Sequence, residues 1–209
     1  GPTEEWAQVG VSLNPAAAAP STITVSGTLY ADEGTTATST QGKTIIVVVA
    51  TSTPGVYATT SCATCTNSTW KITNVGQPPI GVPVLAFVDN DSFFRAVAFT
   101  KASTTANNIT GMNLFHNRVI VKHEGNTGTS TRIAELALYD GDNDADIQFK
   151  ANGGTLEINS GQMLYIAPGS EFKPEGAVTI HGNASNSTTD GSLKLATGRD
   201  KTPTPPLPY

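Results

Sequence analysis

Charge is scarce in this chain: 14% of its 209 residues are Asp, Glu, Lys or Arg, against about 25% in an ordinary soluble domain. Only 12 residues are basic, the formal net charge is −5 and the pI is near 5.1. No basic patch exists to neutralise a run of phosphates, which argues against nucleic acid as a partner. No apolar run reaches the roughly 18 residues of a membrane-spanning helix, so no transmembrane segment is expected. The first residues also lack the basic-then-apolar pattern of a secretory leader. Catalytic signatures are missing as well: there is no G-x-S-x-G elbow, no H-E-x-x-H, no phosphate loop and no dinucleotide fingerprint. The three histidines, His116, His123 and His181, have no metal-ligand spacing and stand in strand-like contexts. The chain does not read as an enzyme.

Small polar residues fill the space that charge leaves: 31 Thr, 15 Ser and 14 Asn. Leu, Ile, Val and Phe number 45, just above the roughly one-fifth below which a chain tends to stay disordered. Val and Ile outnumber Leu by 27 to 11, and β-branched side chains lose χ1 freedom in helices but pack well on pleated surfaces. With 20 Gly and 13 Pro punctuating short apolar runs, the expectation is an all-β protein. The single stretch that fits a helical turn, residues 131–139 (TRIAELALY), fits a strand equally well.

Residues 1–20 read as an extended arm and linker. Ala7, Val9, Val11 and Leu13 alternate with polar or small residues at a period of two, followed by a proline-bounded alanine run. Such a strand either pairs with the edge of its own domain or adds to a neighbouring subunit's sheet. Residues 21–102 read as a β-sandwich. An alternating strand over 23–30 ends at an Asp32-Glu33-Gly34 turn. Residues 43–50 (KTIIVVVA) are apolar on both faces, as a central strand covered on both sides would be. Further strands are expected over 69–75, 82–89 and 93–100.

The order of these pieces, VSGTLYADEG, KTIIVVVA, NSTWKITNV and PPIGVPVLAFVD, resembles Cna-B or carboxypeptidase-regulatory-like modules. These are transthyretin-like β-sandwiches of bacterial surface proteins. Asn67, Trp70, Ile72, Asn74 and Val75 match that family's strand pattern. The resemblance implies an Ig- or transthyretin-like sandwich in a cell-surface setting. Some such modules carry Lys–Asn isopeptide cross-links, for which Lys43 and Lys101 would be the amines.

Residues 103–196 read as a second β-rich region packed on the first. Two strands flank Asn117 within 109–123, and another covers 147–150. Over 147–182, apolar pairs and Gly turns recur every 7 to 9 residues, resembling a rung or two of a bacterial surface β-solenoid. Fewer than three rungs cannot bury a core alone, so these are expected to pack on the rest of the chain or on a neighbour. Residues 197–209 read as a Pro-rich tail, expected to be extended.

Four sets of residues are candidates for a special role. Cys62 and Cys65 read best as a local disulfide in an oxidising compartment, with a redox or zinc role the lesser readings. Asp140, Asp142, Asp144 and Asp146 alternate carboxylates as a Ca²⁺ loop would, although the EF-hand form fails because Ala145 and Ala151 replace its Gly and Glu; calcium is the one cofactor considered. Asn67, Asn90, Asn108, Asn183 and Asn186 open N-x-S/T sequons that would carry glycans. Trp70, Tyr57 and Tyr30 are aromatics that serve either as core or as stacking surfaces for sugars. Together these features predict a structural subunit of an extracellular filament, pilus or surface array, whose partners are identical copies. The alternative is a carbohydrate- or surface-binding adhesion module of a larger secreted protein.

Overall fold

A computed structural model describes residues 1, 22–50, 57–61, 67–103, 108–122, 130–180 and 192–195. It is nearly all β. Thirteen strands and one four-residue helix follow in the order β1 (Thr22–Tyr30), β2 (Thr44–Ala50), β3 (Tyr57–Ser61), β4 (Thr69–Gly76), β5 (Pro83–Asp89), β6 (Ala96–Lys101), β7 (Leu114–Phe115), β8 (Arg118–Val121), α1 (Ile133–Leu136), β9 (Phe149–Asn152), β10 (Thr155–Ile158), β11 (Met163–Ile166), β12 (Ala177–Ile180) and β13 (Ser192–Leu195).

Among the described residues the strands form three sheets. The largest has seven strands in the order β13-β11-β8-β6-β5-β2-β3. Its β3-β2-β5-β6 half is antiparallel, and its β6-β8-β11-β13 half is parallel. Sheets of order β4-β1-β7 and β12-β10-β9 complete the set.

The large sheet is the middle layer, because its strands are apolar on both faces. Side chains alternate across a strand with period two. Ile45, Val47 and Val49 of β2, Val84, Ala86 and Val88 of β5, and Ile120 of β8 face one way, into a core closed by Ile23, Val25 and Leu29 of β1 and Trp70 and Ile72 of β4. Val48, Leu85, Phe87, Val97, Phe99, Val119 and Leu164 face the other way, against Ile133 and Leu136 of α1, Phe149 of β9 and Leu156 and Ile158 of β10. Continuous apolar runs are the signature of strands covered on both sides. The reading of residues 43–50 as such a strand matches β2.

Strands from both halves of the sequence enter the same sheets. β7 extends β1 in parallel, and β8 lies in parallel beside β6. The segment before β7 crosses β1 closely enough that Ser26 N–H donates to the Ile109 carbonyl and Met112 N–H to that of Ser26, both at 2.9 Å. Gly27 permits this crossing, since a Cβ there would lie 2.1 Å from the Met112 carbonyl oxygen.

The segment that resembles solenoid rungs in sequence contains two parallel strand pairs. β10 pairs in parallel with β12, Thr155 against Ala177, and β11 pairs in parallel with β13, Met163 against Ser192. One rung therefore contains two strands that go to two different sheets. The starts of β10 and β11 fall within the repeat of 7 to 9 residues, whereas β12 and β13 start farther apart, at Ala177 and Ser192. Gly176 lets the second rung sit on the first, because a Cβ there would meet the Gly154 carbonyl oxygen at 1.8 Å. Residues 131–139 supply only the short helix α1, whose Arg132 N–H is taken by the Glu135 carboxylate at 2.8 Å. Ile133 and Leu136, three apart, point into the second core.

Candidate functional site

Chemistry-bearing side chains gather at one end of the central sheet. Pairing sets Thr44 beside Asp89, Ala96 beside Arg118, and Arg118 beside Met163. The loops entering β2, joining β5 to β6, joining β7 to β8 and entering β11 therefore emerge together. The 140–146 loop joins them, because Asp146 Oδ2 accepts the Asn90 N–H at 2.8 Å.

The β5–β6 loop is built around Asp91. Its Oδ1 accepts the N–H groups of Phe93 and Phe94 at 2.9 and 2.7 Å, and its Oδ2 meets Lys43 Nζ at 2.5 Å. A side chain that caps two successive amides forms a local turn in place of a strand. This is why β6 begins at Ala96 and not at Phe93, as the strand expected over 93–100 would require. Partial burial pushes the Asp91 carboxyl up, but the bond from Lys43 and the Phe94 and Phe93 amides outweigh it and lower its pKa to about 2. In the β1–β2 connection, Asp32 is likewise lowered to about 2 by the Thr36 N–H and hydroxyl, with a smaller part from the Thr35 N–H.

The turn sends its two aromatics in opposite directions. Phe94 is buried in the first core, whereas Phe93 is 80% exposed. Between them lies His116, with its ring 4.9 Å and 18° from Phe94 and 5.6 Å and 26° from Phe93. His116 Nε2 donates to the Phe93 carbonyl oxygen at 2.9 Å. Lys43 Nζ stands 4.8 Å from the Phe94 ring centroid, a cation–π contact. Nearby, Arg118 Nη2 pairs with Glu33 at 2.7 Å. A Phe ring left in water forgoes about 1.5–3 kcal/mol of burial, so a rigidly supported exposed ring is conspicuous.

The four alternating aspartates do not form one cage. Asp140 Oδ2 accepts the Ala151 N–H and its Oδ1 the Asp142 N–H, while Asp142 pairs with Lys150 at 2.7 Å. That pair raises the Lys150 pKa. Asp144 and Asp146 instead turn toward Asp89, and one carboxylate oxygen from each of the three lies within 4.8 Å of the others. The Asp89 pKa is raised by burial first, against the Asn90 hydrogen bond, and then by the charges of Asp144 and Asp146. A cation at this loop would be held by Asp89, Asp144 and Asp146, which supply three oxygens of the six to eight that Ca²⁺ takes.

The remaining candidates are distributed elsewhere. Trp70 is 1% exposed and belongs to the core, the first of the two roles open to it from sequence. Tyr30 is half-buried and meets Phe115 edge-on at 5.6 Å. Asn67, Asn90 and Asn108 are all exposed. Asn67 and Asn90 have φ of 57° and 54°, the left-handed region that Asn tolerates at turns, and Asn108 Oδ1 accepts the Thr24 N–H at 2.8 Å. Lys43 and Lys101 have carboxylate partners, Asp91 and Glu135; the amide that a Lys–Asn cross-link needs is not among these contacts. Cys62, Cys65, Asn183, Asn186, His123, His181, the Tyr57 side chain and the strand of Ala7, Val9, Val11 and Leu13 lie outside the described residues.

Sequence reasoning missed Asp89 and Phe93. Asp89 sits at the end of a correctly placed strand, and only the approach of the 140–146 loop brings Asp144 and Asp146 to it. Phe93 was detectable in principle, since Asn90-Asp91-Ser92 is a turn signature standing immediately before it. No protein-family model, curated protein or solved structure matches this chain.

Proposed function

We propose that this chain is a structural, non-catalytic subunit of an extracellular filament, pilus or surface array. In this reading, the N-terminal strand of one copy, with Ala7, Val9, Val11 and Leu13 on one side, adds to an open sheet edge of the next. The observation that carries it is the edge strand β12. Among the described residues β12 pairs only with β10. Val178 stands in register with Leu156, whose side chain is fully buried. Val178 therefore lies on the inward face, yet it is 38% exposed.

An inward apolar side chain left uncovered marks a core that another strand would complete. The described β12 residues also carry no charge or proline, the usual guards against edge pairing. A donated strand supplies main-chain hydrogen bonds while its alternate side chains cover the gap. Such a contact is heterologous and does not close, so it propagates as a fibre. The low-charge composition adds support, since identical copies repel each other little. The sequence resemblance to bacterial surface modules is consistent with the same setting.

Electron micrographs of the purified chain test this reading. The intact chain should form filaments. Deletion of residues 1–20 should abolish them while a cooperative thermal transition is retained. Val178→Lys should do the same without touching the arm. Filaments that persist in both variants, or an intact chain that stays monomeric at high concentration, would refute the mechanism.

A further inference from the structure

We propose that the ring of Phe93 is a stacking platform for a neutral saccharide, forming a glycan-binding site at the tip of the β5–β6 loop. This inference is independent of the assembly reading, which rests on β12.

Three observations carry it. The first is preorganisation. Phe93 is 80% exposed, yet its backbone is fixed by Asp91 through the N–H and by His116 through the carbonyl. Its ring rests on the imidazole, which rests in turn on the buried Phe94. One ring face is thus supported and the other left to solvent. A ring already held in its binding position loses little freedom when a ligand arrives.

The second observation is isolation. Among the described residues, the large exposed hydrophobics are Ile80, Phe93 and Val178. Ile80 lies before β5, at the opposite end of that strand from Phe93, and Val178 lies on β12 in another sheet. A protein partner needs a contiguous patch with a buried apolar centre and about 1,000 Å² or more in total. One ring in a polar surround does not supply that. It matches the amphipathic face of a pyranose, whose C–H groups pack on an aromatic ring while its hydroxyls reach polar neighbours.

The third observation is the rim. Asn90 and Ser92 are exposed beside the ring. The nearby cations Lys43 and Arg118 are paired with Asp91 and Glu33, Arg95 bonds the neutral Gln148, and Asp89, Asp144 and Asp146 add three carboxylates in the adjoining loops. Carboxylates therefore outnumber cations around the loop, which disfavours acidic sugars and favours neutral ones.

The test uses the full chain from a host that does not N-glycosylate, so that Asn90 is bare. It is applied to a printed array of neutral oligosaccharides built from glucose, galactose, mannose and N-acetylglucosamine, and the strongest hit is titrated by calorimetry. The intact chain should bind at least one neutral glycan. Phe93→Ala should weaken that binding about tenfold or more with an unchanged melting temperature, as expected for a side chain outside the core. Phe93→Trp should restore it, and its indole emission should shift on adding the glycan. His116→Ala should weaken binding by a smaller factor, since it removes the support and leaves the ring. Failure to bind any neutral glycan, or equal affinity in Phe93→Ala, overturns the proposal. Sugar-independent association of the chain that is lost in Phe93→Ala overturns it too, because the ring would then belong to a protein interface.

Discussion

Lys43 and Asp91, 48 residues apart, are joined by a 2.5 Å contact across the loop end of the central sheet. Lys43 precedes the strand β2 and Asp91 follows β5, so the pair ties together the ends of two neighbouring strands while Asp91 also caps the turn that carries Phe93.

The first prediction concerns that pair. The folded-state pKa of Asp91 is lowered to about 2 from the ordinary 3.8, so its contribution is present above the unfolded value. It is lost as pH falls from about 4 through about 2. Solvent reaches 17% and 20% of the two side chains, which reduces the contribution to about 1–2 kcal/mol. Urea melts should show Asp91→Ala less stable by that amount at neutral pH, with Asp91→Asn intermediate because its amide oxygen still caps the turn. The gap between Asp91→Ala and the intact chain should narrow on acidification through this window; a gap independent of pH would show that the pair contributes nothing.

Asp89 behaves in the opposite sense. Its raised pKa means that the folded chain retains a proton after the unfolded chain has released it. Stability therefore falls as pH rises from the ordinary carboxylate value to the raised one. Asp89→Asn, which keeps the shape and removes the repulsion from Asp144 and Asp146, should melt at a higher temperature than the intact chain at neutral pH. The gain should be under about 1 kcal/mol for a half-buried carboxylate and should shrink toward about pH 4. A variant less stable than the intact chain at neutral pH would mean that Asp89 is held by attractive partners.

Gly27 is the third test. An added methyl would sit 2.1 Å from the Met112 carbonyl oxygen, and the backbone that would have to move is tied to β1 by the hydrogen bonds of Ile109 and Met112. Gly27→Ala should cost at least about 2 kcal/mol, the scale of overpacking a tight site. Calorimetric melting reads this directly. A transition within a degree or so of the intact chain would show that the 109–112 segment does not lie on β1.

Much of the fold was legible because two-sided burial leaves an unmistakable mark. Residues 43–50 and 83–89 are apolar at nearly every position, and only a strand with a layer on each side has use for that. The strands flanking Asn117 were legible for a related reason, since an Asn in the left-handed region, with φ of 56°, separates two short apolar runs. The partners of those strands were not legible. β6 and β8 are parallel neighbours, and nothing in either run names the other. The parallel pairs β10–β12 and β11–β13 were not legible either, because β10 and β11 stand close in the chain yet go to different sheets.

The asparagine count had two meanings that composition cannot separate. Asn67 and Asn90 open sequons, and both also occupy left-handed turn positions, where Asn is favoured on backbone grounds alone. Likewise, four aspartates at alternate positions looked like one ligand set. Two of them are taken by Ala151, Lys150 and the loop's own amides, and the other two face Asp89 from a distant strand.

The sequence by itself determined the β character of this protein, through β-branched residues that resist helices and a period of two that sets which side chains share a face. It also determined where turns fall, through Gly, Pro, Asn and Asp. Tertiary structure alone decided which strands are neighbours, which aspartates meet, that Phe93 faces solvent while Phe94 is buried, and that Val178 lies inward beside Leu156 yet uncovered. Local propensity acts between residues a few positions apart, whereas these arrangements depend on segments that meet only after the chain has folded.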